Sequence, residues 1–355
     1  MGSIKKPSIL IDLSKIKYPY CGLGQVSINI GQEICKLNNL PFAPTFLIPK
    51  NRQSYFESEA VNFEYLTLKR KYIPKLSKKY DLWHAIHQDS YYSPADKKNP
   101  YILTIHDLNF LIEKNNAKAA LRLKEVQSKV KRASVITVIS KYTEEIVLKN
   151  LNLANKPLRL ISNGVRVIEY PNSKKPSYIP QRNFIFTIGT IAPKKNFGVL
   201  IPLMELLPQY SLVIAGDKSK KNAQEVLNKI EHSSARDRII LPGIVSEEEK
   251  YWLYKNCSAF IFPSLLEGFG LPAIEAMLFG KPVFLSNCSS LPEVGGREAF
   301  YWESFAPHYM RDLFLEKMLE YNKDRNKSQR LINYARQFDW KNVVQQYINL
   351  YFEVL

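Results

Sequence analysis

The chain has 355 residues, 45% hydrophobic and 23% charged, which is long enough for two globular domains and too apolar for a disordered protein. Its 50 Lys and Arg against 33 Asp and Glu leave a net charge of +17, which favours anionic partners such as nucleic acid, a membrane surface or phosphorylated ligands. Cys21, Cys35, Cys257 and Cys288 have no CxxC spacing, and no apolar run approaches a membrane span, so a zinc ribbon, a disulfide framework, secretion and membrane insertion are not expected.

In chain order, apolar runs of strand length fall at 8–13, 45–48, 61–66, 82–86, 101–105, 135–139 and 158–161, with helical patterns between several of them. From 170 to 180 the chain turns to Pro, Ser and Lys, a linker signal. A second series follows at 184–188, 212–215, 239–241, 259–262 and 283–285. These runs are continuous rather than alternating, as in parallel strands covered on both faces, and they predict two doubly wound α/β domains. Ser246 with Glu249 forms a capping box that opens a helix. Pro272 sits at a helix start, and Gly280 and Pro282 close that helix. Trp340, Val343, Val344, Tyr347, Ile348, Tyr351 and Leu355 form one apolar stripe at helical spacing, which must bury against something.

The chemistry concentrates in a few segments. After the run 259–262 comes Pro-Ser-Leu-Leu-Glu-Gly-Phe-Gly-Leu-Pro-Ala-Ile-Glu, from Pro263 to Glu275. Gly268 and Gly270 let the backbone approach a ligand, and the helix opening at Leu271-Pro272 presents free amides suited to phosphate. Glu267 falls in the loop and Glu275 one turn into the helix, where carboxylates can accept hydrogen bonds from sugar hydroxyls. After the run 184–188, Thr190, Lys194 and Lys195 follow a strand end, where paired lysines can hold a diphosphate. Gly22 and Gly24 make a glycine loop after the first strand but lack the full GxGxxG spacing, and a plain tight turn is the alternative. His106 directly follows the run 101–105. His84 and His87 form an HxxH on a strand with no further ligand set, and no metal site is expected there. The segments 138–143 and 161–165 read equally well as scaffold or as function.

The segment Glu267 to Glu275, with Phe269 between its glycines, resembles the signature of the retaining GT-B glycosyltransferases of family 4, the glycogen synthase/mannosyltransferase-like group. The resemblance runs on through Lys281-Pro282-Val283 and Ser289-Ser290-Leu291-Pro292-Glu293-Val294-Gly295-Gly296 and covers nearly all of the chain. It implies two Rossmann-like domains facing a central cleft: residues 1–170 for the acceptor, 171–335 for the nucleotide sugar, and 336–355 as a helix returning to the first domain. By the same resemblance Lys194 and Lys195 stabilise the leaving diphosphate, Glu267 and His106 contact the donor sugar, and Glu275 binds the ribose. Gly22, Gly24, Thr190, Gly268, Phe269, Gly270 and Leu271 surround the donor. Three positions depart from the common pattern: many members carry arginine in place of Thr190, a common subgroup carries an acidic residue in place of Ala192, and arginine is frequent in place of Lys194.

The activity implied is transfer of a sugar, mannose from GDP-mannose as first choice and a UDP sugar as the other, to a glycan or lipid-linked acceptor in surface polysaccharide or lipopolysaccharide assembly. No Asp-x-Asp pair is present, so neither metal nor other cofactor is expected. A GT-B epimerase, and a nucleic-acid or anionic-surface binding module, are the alternatives. The module reading has no RNA- or DNA-reading motif behind it, and nucleic acid is not expected as a partner.

Charge is lopsided. Residues 1–180 hold 29 basic and 14 acidic residues, and 181–355 hold 21 and 19. Lys69, Arg70, Lys71, Lys75, Lys78 and Lys79, interleaved with Tyr72, Ile73, Leu76 and Tyr80, form the densest stretch, and a second runs from Lys114 to Arg132. Mixed basic and apolar residues suit an anionic bilayer surface, at about 1 kcal/mol per charge. The expectation is a cytoplasmic protein, peripheral on the inner face of the cytoplasmic membrane.

Overall fold

A computed structural model describes residues 6–67, 75–76, 79–166, 168–179, 183–219 and 221–355. The chain forms two compact units, one of Met1–Gly164 with Asp339–Leu355 and one of Val165–Phe338.

In the first unit the strands are β1 (Ser8–Asp12), β2 (Ala43–Ile48), β3 (Asn62–Tyr65), β4 (Lys75–Leu76), β5 (Leu82–Ala85), β6 (Ser93–Pro94), β7 (Tyr101–Ile105), β8 (Val135–Val138) and β9 (Leu158–Leu160). Seven of them make an all-parallel sheet in the order β3-β2-β1-β5-β7-β8-β9, and β4 pairs with β6 apart from it. Ile9, Leu10, Ile11, Leu82, Trp83, Ile102 and Leu103 are wholly buried, as strands sandwiched between helices require.

The C-terminal helix Trp340–Val354 belongs to this unit and packs on the helix Gly22–Cys35. Its predicted stripe is buried from Trp340 to Tyr351, joined by Leu350, whereas Leu355 stays exposed. Two tyrosines carry it into a polar core. Tyr351 Oη lies 2.8 Å from His84 Nδ1, His84 Nε2 lies 2.9 Å from Thr104 Oγ1, and Thr104 is 2.7 Å from Thr137. Gly164 faces this helix so closely that a Cβ there would lie 2.6 Å from the Trp340 ring. The glycine of the 161–165 segment thus has a packing reason.

In the second unit the strands are β10 (Phe184–Ile188), β11 (Ser211–Ala215), β12 (Ile239–Gly243), β13 (Ala259–Phe262), β14 (Val283–Ser286) and β15 (Phe300–Trp302), all parallel in the order β12-β11-β10-β13-β14-β15. The capping box is formed: Ser246 Oγ accepts from Glu249 N–H and the Glu249 carboxylate accepts from Ser246 N–H. Pro272 lies in the first turn of the helix Leu271–Leu278, and Gly280 ends it in the left-handed region at φ +66°.

The packed units divide at 164/165 and 338/339, within a few residues of the expected 170/171 and 335/336. The proline-rich stretch is not a free linker. Tyr170 meets Tyr251 edge-on at 6.0 Å, and Pro176 and Ile179 are buried in the second unit.

Three histidines of the first unit are buried and neutral. Burial pushes His84 down to about 3 and His106 down to about 4, and it holds His87 well below its ordinary value. The unfolded chain protonates all three near 6.5, so below that pH it binds protons that the folded unit refuses, and stability falls as pH drops toward 4. The slope is on the order of 1.4 kcal/mol per pH unit per histidine. The urea midpoint is expected to fall clearly between pH 7 and pH 5; an unchanged midpoint contradicts the buried neutral assignment.

Candidate functional site

In the second unit the strand order reverses between β10 and β13, which lie side by side. In open parallel sheets, ligands settle outside the carboxyl ends of the strands at such a reversal. The loops leaving these two strands are the two segments that carry the predicted chemistry.

The loop after β10 passes Thr190, which is half-buried, and makes one helical turn, Pro193–Lys195. Asn196 then takes the left-handed conformation, at φ +55°. The Lys194 carbonyl accepts from Leu265 N–H at 2.7 Å and from Ser264 Oγ at 3.0 Å, which ties this loop to the one after β13. Lys195 Nζ donates to Glu267 Oε1 at 2.5 Å, with side chains only 14% and 13% exposed. The same ammonium lies 4.7 Å above the Phe262 ring, a cation–π contact. Lys195 and Glu267, distant in sequence, are therefore one unit.

The loop after β13 is sewn down by serines. Glu267 N–H donates to Ser289 Oγ at 2.9 Å, and Ser290 Oγ lies 2.8 Å from the Phe269 carbonyl and 3.1 Å from that of Glu267. Phe269 is buried against Phe338. Gly270 has φ +115°, and a Cβ there would sit 2.6 Å from Leu291, so glycine is required on both counts. In the first turn of the helix that starts at Leu271, Pro272 has no N–H and Ala273 N–H donates to the Gly270 carbonyl at 3.0 Å, so the amide without an intrahelical acceptor is that of Leu271, half-buried as Gly268 is. Glu275 lies one turn in, with Oε2 2.8 Å from Tyr254 Oη and Oε1 3.4 Å from Lys250 Nζ.

The remaining candidates lie in the first unit. His106 follows β7 and is 4% exposed. Its Nε2 lies 2.7 Å from the Ile86 carbonyl, which can only accept, so Nε2 carries the proton and Nδ1 is left as the basic nitrogen. Gln88 Oε1 accepts from the His106 amide, and Thr143 Oγ1 donates to its carbonyl. Gly24 is needed by its own chain, since a Cβ would lie 2.0 Å from the Tyr18 carbonyl oxygen, whereas Gly22 faces open space. In the 138–143 segment Ser140 caps the helix Lys141–Asn150 through Thr143 N–H. Both His84 nitrogens have polar neighbours, and among the described residues no three His, Cys, Asp or Glu side chains come together as a metal site.

Of the basic stretch, Lys69, Arg70, Lys71 and Lys78 lie outside the described residues, Lys75 opens β4 and Lys79 is exposed. In the second stretch, Arg122 pairs with Asp89 and Glu125, Lys129 donates to the Gln88 carbonyl, and Arg132 donates to the Pro94 and Asp96 carbonyls. Lys114, Lys118, Lys124 and Lys131 are exposed, as are Ile112 and Leu121 on the same helical pair.

Sequence reasoning did not assign roles to Ser289, Ser290, Tyr254 or Lys250. The two serines fall in the segment 289–296 that carries the resemblance, which was their signal. Tyr254 and Lys250 have none beyond helical spacing.

Residues 170–338 match the domain described as Glycosyl transferases group 1, and residues 40–168 match Glycosyltransferase Family 4. The chain is 32% identical over 259 residues to the serotype-specific mannosyltransferase WbdA of Escherichia coli, covering 66% of this chain but only 31% of that protein's length. It is 25% identical to the O-antigen chain mannosyltransferase B of Escherichia coli, over 97% of this chain and 99% of that one. HepE of Anabaena, solved in complex with UDP-glucose, superposes with a TM-score of 0.75 at 16% identity over 98% of this chain and all of that one, which is the α/β GT-B fold.

The two loop glycines of the first unit should separate on substitution. Gly22→Ala is expected to leave the unfolding free energy from urea titration within about 0.5 kcal/mol of wild type, as surface changes do. Gly24→Ala is expected to cost about 1–3 kcal/mol or more through overpacking. Equal effects would contradict the close approach at Tyr18.

Proposed function

The chain belongs to the GT-B glycosyltransferases of family 4, and from that premise we propose that it transfers a mannosyl residue from a nucleotide sugar, GDP-mannose first, to a glycan or lipid-linked acceptor in surface polysaccharide or lipopolysaccharide assembly. The transfer proceeds with retention and without a metal. The observation that carries this reading is the apposition of Lys195 and Glu267 at the strand-order reversal of the second unit, with Glu267 in the loop that leads into the helix Leu271–Leu278. A cation for the diphosphate and a carboxylate for sugar hydroxyls are thereby supplied from adjacent strands. The relatives named as mannosyltransferases support the sugar, and an epimerase finds no counterpart in their names.

Each residue has a defined task in this reading. Lys194, Lys195 and the amides at Gly268–Leu271 stabilise charge that develops on the leaving diphosphate, an effect worth about 3–4 kcal/mol per preorganised donor. Glu267 accepts from hydroxyls of the sugar, and Glu275 from those of the ribose. His106 is a neutral imidazole and serves the donor sugar as a hydrogen-bonding group rather than as a cation. The leaving phosphate takes the proton of the acceptor hydroxyl on the same face, which preserves the anomeric configuration and needs no separate base. Lysines and amides do what a divalent ion does in enzymes with an Asp-x-Asp pair.

Donor consumption measured on a panel of nucleotide sugars tests the assignment. Wild type should turn over in excess chelator and yield a product with the donor's anomeric configuration, and Lys195→Ala should lower kcat/KM by about 100-fold. Restoration by manganese after chelation, or a folded Lys195→Ala variant with full activity, would contradict it.

We further propose that the first unit rests on an anionic membrane surface at the inner face of the cytoplasmic membrane. Among the described residues no helix is long and apolar enough to cross a membrane. Exposed Ile112 and Leu121 with Lys114, Lys118, Lys124 and Lys131 support attachment by mixed apolar and basic contact, alongside the stretch 69–79. Binding to vesicles containing anionic lipid, with release at high salt and little binding to neutral vesicles, is the expected result. Indifference to anionic vesicles at low salt would count against a membrane-borne acceptor.

A further inference from the structure

Glu275 is held from behind. Tyr254, on the helix Glu247–Asn256, is 1% exposed, and its hydroxyl sits 2.8 Å from Glu275 Oε2 and 3.3 Å from the Pro272 carbonyl. The phenol ring cannot swing away. It stacks on Phe279 with centroids 5.7 Å apart and meets Phe186 edge-on at 5.0 Å. Lys250, one turn earlier on the same helix, lies 3.4 Å from Glu275 Oε1 and 2.9 Å from Glu247 Oε2. The capping box at Ser246 fixes the start of this helix, so both donors project from a pinned element. Burial and the adjoining carboxylate hold the Tyr254 phenol well above its ordinary value, so it is a protonated donor at neutral pH.

An ionised carboxylate offers about four lone-pair sites on two oxygens. Tyr254 and Lys250 occupy one on each oxygen. One site on each oxygen remains, on a side chain that is still 16% exposed, and that is the complement of two neighbouring hydroxyl groups. A glutamate otherwise free to rotate about three bonds is thereby ordered before the ligand arrives, which is the general route by which preorganisation raises affinity.

We propose that Tyr254 and Lys250 are positioning residues for the donor nucleotide, fixing the Glu275 carboxylate so that both of its oxygens meet the vicinal diol of the ribose. The inference rests on the assignment of Glu275 to the ribose. The ribose is remote from the bond that breaks, so a contact to it is equally strong in the ground and transition states. Loosening such a contact raises KM for the donor and leaves kcat nearly unchanged.

Titration calorimetry with GDP and with UDP on the full chain, together with donor saturation kinetics, tests this. The variants are Tyr254→Phe, which keeps the ring and removes only the hydroxyl, Lys250→Met and Glu275→Gln. Tyr254→Phe is expected to weaken binding of the nucleotide used by the protein and to raise donor KM by about 5- to 10-fold, the scale of one ordinary net hydrogen bond. Its kcat should fall by less than about 2-fold and its acceptor KM should not move. Lys250→Met should act in the same direction and stands in if Tyr254→Phe does not fold. Glu275→Gln should weaken nucleotide binding at least as much. If Glu275→Gln binds nucleotide like wild type, the ribose assignment fails and the positioning roles fail with it. If Glu275→Gln is weakened while both Tyr254→Phe and Lys250→Met bind like wild type, or lower kcat with KM unchanged, the ribose assignment stands and the positioning roles are overturned.

Discussion

The ion pair between Lys195 and Glu267 is the contact on which the chemistry proposed for the second unit turns. It exists because β10 and β13 are neighbours in the sheet though far apart in the chain. Reversal of the strand order at that point leaves the two outgoing loops facing each other with no crossover helix between them. The remaining contacts of the loops keep the pair in place. The Lys194 carbonyl takes hydrogen bonds from the opposite loop, Ser289 and Ser290 hold the backbone on either side of Glu267, and Phe262 supports the ammonium from below. A half-buried pair of this kind costs desolvation, and breaking it by removing one partner leaves the other charge uncompensated. In the proposed donor complex, a diphosphate gives the lysine a second anion and the carboxylate accepts from hydroxyl groups.

The first unit solves a different problem. Its sheet buries three histidines in neutral form and uses one of them, His84, to join β5 and β7 to the C-terminal helix through Thr104 and Tyr351. A buried polar network of this sort specifies one docking position for the helix, because any other leaves the imidazole without partners. Chemistry at His106 is set by the same environment. With Nε2–H directed to the Ile86 carbonyl, the ring is fixed in orientation and tautomer, and it stays uncharged at neutral pH.

Much of this was legible in the residues because parallel strands buried on both faces read as unbroken apolar runs. All five runs of the second unit and all seven of the first correspond to observed strands, with ends shifted by one or two residues. β15, Phe300-Tyr301-Trp302, was not among the predicted runs, and β4 and β6, of two residues each, are too short to stand out. The loop from Glu267 to Gly270 was legible because glycine at φ +115° leaves a mark in sequence. The Lys195–Glu267 contact was not, since it depends on strand order, which local pattern does not encode. The packed units divide a few residues away from the proline signal, because proline marks a turn whether or not the turn is free, and Pro176 and Ile179 are packed. Tyr254 and Lys250 carried no mark at all, because a tyrosine stacked among phenylalanines looks like core.

The central claim is that the donor diphosphate binds at the strand-order reversal of the second unit. A crystal structure of the protein with GDP bound tests it most directly. The account predicts diphosphate oxygens within hydrogen-bond distance of Lys195 Nζ and of the amides between Gly268 and Leu271, with the ribose hydroxyls on Glu275. A nucleotide bound elsewhere, with Lys195 still closed on Glu267, would contradict it.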